Sequence, residues 1–207
     1  MRRIKIAVLV SGGGTNLQAL IDAQRAGVIE HGEIAVVISG NPDAYALTRA
    51  ANAGIPTAIV SKKLLGGSQE AFEAGILAEI KKAGAELIVL AGFMSILSER
   101  FTSLFPRRIL NVHPALIPSF CGKGFYGLHV HEAALAYGVK VTGATVHFVN
   151  EIPDGGEIIL QKAVDVLAGD TPETLQRRVM EEAEWKTIMG LASEMKGRTI
   201  PAFLPLP

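Results

Sequence analysis

The sequence has little of what several specialised protein classes require. Cys121 is the only cysteine among 207 residues, which excludes an intrachain disulfide and a metal site built from several cysteines. Charge of neither sign is in excess, because 20 Lys and Arg balance 20 Asp and Glu. Proteins that bind nucleic acids or anionic membranes through electrostatics carry a basic surface. We therefore expect neither a nucleic-acid partner nor a membrane partner.

Long hydrophobic runs are also missing. The longest mostly apolar stretch, residues 87–97, contains Gly92 and Ser95 and falls well below the roughly 18 residues of a membrane-spanning helix. The apolar run 6–10 is too short for the core of a signal peptide. Because 49% of the residues are hydrophobic and only 19% are charged, the chain can fold around a core. We expect a cytoplasmic protein with a single domain over residues 1–207.

The first half of the chain alternates short apolar runs with amphipathic segments. Runs rich in β-branched residues are typical of strands buried on both faces of a parallel sheet. The pattern predicts strands at 4–10, 34–38, 57–60, 87–90 and 109–112, and helices from Thr15 onward, over 43–53 and over 68–83. This rhythm predicts an α/β fold with a doubly wound, mostly parallel, Rossmann-like sheet. Residues 1–110 form its nucleotide-binding or phosphate-binding half.

The second half, residues 111–195, departs from this rhythm. Two apolar runs around a short glycine-rich link indicate an antiparallel strand pair added to the sheet. Thr171 and Pro172 are typical of the start of a helix. The pattern predicts a loop over 114–127, a helix over 131–137, strands at 141–149 and 157–166, a last helix from 171 to about 195, and a proline-containing surface tail over 200–207.

A glycine-rich loop, Ser11 to Gly14, follows the first strand. Backbone N–H groups and the helix dipole bind anions at this position of an α/β sheet. The spacing is wrong for a dinucleotide fingerprint, since Leu17 replaces the third glycine, and no lysine follows as in a P-loop. A monophosphate fits better, and a tight turn without a ligand is the alternative. Thr15 and Gln18 have the spacing of a capping box.

Asn111 and His113 lie at the end of a predicted buried strand, where α/β sheets bind their ligands. Side chains two residues apart in a strand share one face. Asp154 lies in a loop that can reach the same edge, where its carboxylate would raise the pKa of His113. An amide, an imidazole and a carboxylate suit acyl transfer to an amine, in which an oxyanion forms and the amine loses a proton. The alternative is a histidine satisfied within the core.

The other histidines give weaker signals. His129 and His131 are two residues apart, but two histidines alone are weak evidence for a zinc site. His147 lies on a predicted strand, where a core position or a supporting role beside the site is expected. We therefore expect no metal.

Five segments in this order resemble the phosphoribosylglycinamide formyltransferase family. They are Val8-Leu-Val-Ser-Gly-Gly-Gly-Thr-Asn-Leu-Gln18, Leu90-Ala-Gly-Phe-Met-Ser-Ile-Leu97, Asn111-Val-His-Pro-Ala-Leu-Ile-Pro118, Gly143-Ala-Thr-Val-His-Phe-Val149 and Asp154-Gly-Gly. The resemblance runs from Lys5 to about Lys186. It implies transfer of a formyl group from 10-formyltetrahydrofolate to glycinamide ribonucleotide, small molecules as the only partners, no metal, and a monomer or homodimer.

The resemblance also implies roles for individual residues. The catalytic residues are Asn111, His113 and Asp154. The ribonucleotide is bound by Gly14, Thr15, Asn16 and Glu184. The folate is bound by Gln69, Met94, Ser95, Ile96, Leu97, Asn111, Asn150, Glu151, Ile152, Pro153 and Asp154.

The sequence departs from the family pattern at several points. Ser95 and Gln69 stand where many or some members carry arginine, and the loop 120–127 is longer than in the shortest members. The segment leading to Glu184 is one residue longer than the commoner pattern. These differences concern affinity for folate and its glutamate tail, and the residue that reaches the ribose, rather than the chemistry.

Two alternatives remain open. One is another enzyme that uses formyltetrahydrofolate, such as formyltetrahydrofolate deformylase, for which an additional N-terminal domain is expected. A methionyl-tRNA formyltransferase is not expected, because it would need a further C-terminal domain with a basic surface. The other alternative is a nucleotide-binding module without catalysis, which the amide and imidazole at the strand end disfavour.

Overall fold

The computed structural model describes residues 3–187. Its strands are β1 (Ile4–Val10), β2 (Gly32–Ser39), β3 (Thr57–Ile59), β4 (Leu87–Leu90), β5 (Ile109–His113), β6 (Val141–Phe148) and β7 (Ile158–Asp165). Within the described residues they form one seven-stranded sheet in the order β3-β2-β1-β4-β5-β6-β7. The pairs β3–β2, β2–β1, β1–β4 and β4–β5 are parallel, whereas the pairs β5–β6 and β6–β7 are antiparallel. This confirms the predicted mostly parallel sheet with an antiparallel C-terminal pair.

Helices cover both faces of this sheet. They are α1 (Thr15–Arg25), α2 (Tyr45–Asn52), α3 (Gln69–Ala83), α4 (Glu99–Thr102), α5 (Leu128–Tyr137) and α6 (Pro172–Val179), which continues into a π-helical turn (Met180–Glu184). The predicted extension of the last helix beyond 187 and the proline-containing tail lie outside the described residues. Of the helices in residues 3–187, none is long and apolar enough to cross a membrane.

Strand β1 shows why the sheet is buried on both sides. Val8 packs into the hydrophobic core on one face, with α1 and α2, and Leu9 packs into the core on the other face, with α3. Successive side chains of a strand point to opposite faces, so an uninterrupted apolar run serves two cores at once. Both side chains are completely buried.

The start of α1 differs from the predicted capping box. Gly14 is the N-cap, with a φ of 74°, and no side chain of residues 3–187 caps the helix; Thr15 is already helical. A threonine at Thr15 cannot cap from inside the helix, because the capping side chain must belong to a residue outside the first turn. The first N–H groups of α1 are therefore left open at the end of β1.

The boundaries of other helices follow from local chemistry. Helix α3 begins after Ser68, whose hydroxyl accepts from the Ala71 N–H, and ends at Gly84, whose φ is 63°. Helix α5 begins at Leu128, earlier than the predicted residue 131, directly after Gly127. Each boundary lies at a residue suited to it, since serine caps helix starts and glycine adopts positive φ.

The segment after α6 departs from regular α-helical geometry. The Trp185 N–H donates to the Met180 carbonyl, which is the i to i+5 bond of a π-helix. One residue inserted into a regular α-helix would rotate every later residue by about 100°. The π-turn takes up that residue locally, and Ala183 and Glu184 are both buried.

Candidate active site

Three predicted residues meet at the C-terminal edge of the sheet. Asn111 and His113 lie on one face of β5, and Asp154 lies in the loop between β6 and β7. Asn111 Nδ2 lies 3.3 Å from Asp154 Oδ1, and His113 Nδ1 lies 3.5 Å from Asp154 Oδ2. The sheet thus brings an amide, an imidazole and a carboxylate together, with His113 almost fully buried.

The surroundings of His113 fix its tautomer. Its Nε2 lies 2.8 Å from the Phe120 carbonyl oxygen. A carbonyl only accepts hydrogen bonds, so Nε2 carries the proton and donates it to Phe120. In the neutral ring Nδ1 is therefore unprotonated, and it faces Asp154.

The pKa of His113 differs from the sequence expectation. Burial is the dominant influence and lowers this pKa; Asp154 and the bond to Phe120 raise it by less, so the pKa lies below its usual value. Asp154 raises the pKa of His113, as expected, but the prediction that this pKa lies above its usual value is wrong. The reason is that the imidazole lies beneath the loop 114–127, where desolvation disfavours the charged ring.

Asp154 is ionised and held from several sides. Its Oδ2 accepts from the Gly122 N–H at 2.8 Å. Burial raises the pKa of this carboxyl, but His147 and His113, when their rings are protonated, and the Gly122 N–H together outweigh burial and leave the pKa below its usual value. Asp154 therefore supplies a negative charge next to His113 at neutral pH.

The loop that carries Asp154 is tightly folded. Asp154 has a φ of 56°, a region in which aspartate is tolerated better than most residues. A Cβ on Gly156 would lie 1.7 Å from the Phe148 carbonyl oxygen, so only glycine fits there. The Asp-Gly-Gly sequence thus allows the chain to fold back and present the carboxylate.

His147 was expected to be a core or supporting residue, and the structure places it directly beside Asn111. Its Nδ1 lies 2.8 Å from the Phe148 carbonyl, to which it donates. Nε2 of the neutral ring is then an acceptor, and it lies 3.2 Å from Asn111 Nδ2. Both protons of the Asn111 amide therefore have acceptors, His147 and Asp154.

A cavity of about 580 Å³ opens at these residues. This volume suits a drug-sized ligand. The predicted residues that line it are Met94, Ser95, Ile96, Leu97, Asn111, His113, Asn150, Glu151, Ile152, Pro153 and Asp154. Sequence reasoning missed His147 and the loop 122–127, which also line it; no local motif marks either as part of the wall.

Gln69 is not part of that wall. Its Nε2 donates to the Ile96 carbonyl at 3.0 Å and to Glu73 Oε1 at 2.6 Å. Glu73 in turn accepts from both the backbone N–H and the hydroxyl of Ser98. Gln69 therefore fixes the segment that lines the cavity, and Lys62 donates to its Oε1 at 2.7 Å.

The glycine loop lies next to this cavity. The Ser11 hydroxyl accepts from the Met94 N–H at 2.9 Å. Asn16 Nδ2 donates to Glu184 Oε2 at 2.7 Å, across 168 residues of chain. Burial raises the pKa of Glu184, and the bond from Asn16 lowers it by less. One region therefore contains the four residues predicted to bind a ribonucleotide, Gly14, Thr15, Asn16 and Glu184.

Neither His129 nor His131 belongs to a metal centre within residues 3–187, where no suitable group of three ligands occurs. His129 is exposed and lies 3.0 Å from Glu132. His131 is fully buried, and burial lowers its pKa to about 4.

The chain has extensive similarity to known proteins. Residues 4–190 match the family described as Formyl transferase. A phosphoribosylglycinamide formyltransferase from Haemophilus influenzae is 44% identical over 86% of this chain and 81% of that protein. The chloroplastic phosphoribosylglycinamide formyltransferase of Arabidopsis thaliana is 39% identical over 87% of this chain. The trifunctional purine biosynthetic protein adenosine-3 of Drosophila melanogaster is 41% identical over 96% of this chain.

The coverage of these relatives differs. The chain spans 62% of the Arabidopsis protein and 14% of the Drosophila protein. The crystal structure of glycinamide ribonucleotide transformylase 1 from Symbiobacterium toebii matches with 42% identity and a TM-score of 0.84, over 98% of this chain and 95% of that one. The chain therefore belongs to the formyl transferase family, among the phosphoribosylglycinamide formyltransferases.

Proposed function

We propose that the protein transfers a formyl group from 10-formyltetrahydrofolate to the amine of glycinamide ribonucleotide, in purine biosynthesis. The products are formylglycinamide ribonucleotide and tetrahydrofolate. The observation that carries the proposal is the meeting of Asn111, His113 and Asp154 in the wall of a large cavity beside the glycine loop 11–14. The names of the relatives support the same reaction.

The ribonucleotide phosphate would bind at the start of α1. Gly14 and Thr15 present backbone N–H groups there, and no side chain caps them. Asn16 Oδ1 is buried without a hydrogen-bond partner in residues 3–187, and the carboxylate of Glu184 lies beside it. These oxygens are acceptors for the hydroxyl groups of a ribose.

The folate would occupy the cavity of about 580 Å³. The exposed side chains of Met94, Ile96 and Ile152 offer apolar contacts to a flat ring. The backbone of residues 150–154, which also line the cavity, offers hydrogen-bonding groups. Gln69 would act indirectly, by fixing the Ile96 carbonyl.

The chemistry follows from the protonation states. As the amine attacks the formyl carbon, neutral His113 can take up the proton of the amine at Nδ1. The imidazolium that results has an acceptor for each N–H, the Phe120 carbonyl and Asp154. When the bond from the formyl carbon to N10 of the folate breaks, His113 can give this proton to N10, so that tetrahydrofolate leaves neutral. Asn111 would donate to the developing oxyanion after exchanging its longer bond, 3.3 Å to Asp154, for a bond to that oxygen. Such donors stabilise oxyanions strongly.

The proposal is tested by following tetrahydrofolate release spectroscopically with and without glycinamide ribonucleotide. Release is expected only when the ribonucleotide is present, because its amine accepts the formyl group. Release at the same rate without the ribonucleotide would indicate a deformylase instead. Activity is expected to persist when a chelator is added. If the chelator abolished activity and added zinc restored it, the proposed metal-free mechanism would be wrong.

A further inference from the structure

We propose that Arg49 is a positioning residue for the glycine loop, turning the N–H groups of Gly13 and Gly14 toward a bound phosphate. This inference rests on the proposed ribonucleotide site and assigns the orientation of its anion-binding groups to a side chain on α2. Arg49 lies 36 residues from the loop in sequence.

The contacts of Arg49 join α2 to both the loop and α1. Its Nε donates to the Gly13 carbonyl at 2.8 Å, and its Nη1 donates to Gln18 Oε1 at 3.1 Å. The guanidinium carbon lies 5.0 Å from the centre of the Tyr45 ring. The head group is therefore held by three partners at once, in the fork geometry that a lysine ammonium cannot reproduce.

A second bond from α2 anchors the preceding peptide. The Ala46 N–H donates to the Gly12 carbonyl at 3.1 Å. In a planar trans peptide, the carbonyl of one residue and the N–H of the next point in opposite directions. Because α2 holds the carbonyls of Gly12 and Gly13, the N–H groups of Gly13 and Gly14 are directed away from α2.

These two N–H groups extend the open start of α1. The Gln18 N–H makes the first helical bond, to the Gly14 carbonyl, so the N–H groups of residues 15–17 have no acceptor within the helix. A row of donors at a helix N-terminus favours an anion. The Oδ1 of Asn16 is buried and has no hydrogen-bond partner among residues 3–187, which points independently to a ligand that also carries hydrogen-bond donors. A phosphorylated polyol such as a ribose phosphate has both features.

Arg49 also supplies positive charge that the loop itself lacks. Residues 11–18 contain neither lysine nor arginine. The side chain of Arg49 is only partly buried, so its charge acts on the loop from the α2 side. The guanidinium thus combines orientation of the peptide with electrostatic support for a phosphate.

The experiment compares Arg49→Gln and Arg49→Lys with the wild type and with Arg100→Gln. Arg100 is an exposed control whose guanidinium pairs with Glu70. Loss of a charged hydrogen bond should raise the KM for glycinamide ribonucleotide roughly 10- to 100-fold. The KM for 10-formyltetrahydrofolate should change by less than about threefold, and Arg49→Lys should lie between the wild type and Arg49→Gln.

A readout besides turnover separates this role from a merely structural one. Calorimetric titration with inorganic phosphate should show weaker binding to Arg49→Gln and unchanged binding to Arg100→Gln. Guanidinium ions added to the Arg49→Ala protein should lower its raised KM for the ribonucleotide part of the way toward the wild-type value. Equal changes in both KM values, or unchanged phosphate binding in a folded Arg49→Gln or Arg49→Lys protein, would overturn the inference. A wild type that binds phosphate but transfers no formyl group would instead overturn the proposed function.

Discussion

Nδ1 of His113 faces Oδ2 of Asp154 at 3.5 Å, while Nε2 of the same ring donates to the Phe120 carbonyl. Two acceptors therefore flank a ring that burial keeps neutral, since burial outweighs Asp154 and holds the pKa of His113 below its usual value. The site opposes the imidazolium in the resting protein, yet offers a partner to each of its protons once it forms. This arrangement suits a base that takes up a proton during the reaction.

Replacing Asp154 with Asn is expected to lower kcat by at least about 100-fold. Asparagine tolerates the positive φ of residue 154, so the loop should keep its conformation. The imidazolium of His113 then loses its neighbouring negative charge. Steady-state kinetics should show an almost unchanged KM for the ribonucleotide. A loss of less than about tenfold would mean that Asp154 only shapes the loop.

The same variant has a defined effect on pH dependence. A base must be unprotonated, so kcat/KM of the wild type, which reports the free enzyme, should rise as the pH increases through the pKa of His113, with a midpoint below the usual value of about 6.5. Asp154 raises the pKa of His113, so its removal should move the midpoint to still lower pH. NMR titration of the His113 ring follows the shift directly. An unchanged midpoint would show that the two residues are not coupled.

Much of the fold could be predicted because its signals are local. The apolar runs predict β1 and β4, and Ser68 and Gly84 bound α3 as the sequence indicates. Residues 111 and 113 share a face simply because strands repeat every two residues. The fold class depends on many such signals, each consistent with the others.

The rest depends on contacts between distant segments. The pKa of His113 is set by the loop that buries it, which no strand pattern reveals. The bond from Gln69 to the Ile96 carbonyl spans 27 residues, and no sequence motif indicates that this side chain supports the wall of the cavity. The Asn111–His147 contact arises only because β5 and β6 pair in this register. Such outcomes follow from tertiary packing rather than from sequence spacing.

Two neighbouring glycines should respond differently to alanine. A Cβ on Gly14 would lie 2.7 Å from the Ala46 Cβ, and its φ is 74°, whereas a Cβ on Gly13 meets nothing within 4 Å. Gly14→Ala should therefore lose at least about 1–2 kcal/mol of stability. Gly13→Ala should keep its Tm but raise the KM for the ribonucleotide, because the methyl group would occupy space next to the phosphate.

Thermal unfolding and kinetics on both variants check this contrast. For a chain of this size, each kcal/mol corresponds to about 2–4 °C in Tm. The KM for 10-formyltetrahydrofolate is the internal control and should stay constant in Gly13→Ala. A normal ribonucleotide KM in Gly13→Ala would mean that the loop is a turn without a ligand.

The π-turn should make one residue of the last helix dispensable. Glu182 is exposed and lies within the turn Met180–Glu184. Deleting it should convert the turn into regular α-helix, while Glu184 moves from the fifth to the fourth position after Val179 and keeps its contact with Asn16. The KM for the ribonucleotide should then change by less than about threefold, a small effect by comparison with the loss of a hydrogen-bonded charge.

Two point variants serve as controls for that deletion. Glu182→Gln should leave the kinetics unchanged, whereas Glu184→Ala should raise the ribonucleotide KM more than about tenfold. Circular dichroism establishes whether the shortened helix folds. A folded deletion variant that behaves like Glu184→Ala would show that the π-turn itself, rather than the position of Glu184, is required.

Asn111 should contribute to kcat through its N–H groups. These groups donate to His147 at 3.2 Å and to Asp154 at 3.3 Å, so the amide is already oriented before an oxyanion forms. Removing one donor of this kind costs about 100- to 1,000-fold in kcat. Asn111→Ala should show that loss with little change in either KM, because the bond strengthens only as negative charge develops. Asn111→Asp tests the donor role separately. It keeps the size of the side chain but removes its N–H groups and places a second carboxylate beside Asp154, and it should be at least as inactive. Rapid single-turnover kinetics isolate the chemical step. If this step were slowed less than about tenfold in a folded Asn111→Ala protein, Asn111 would not be the donor that stabilises the oxyanion.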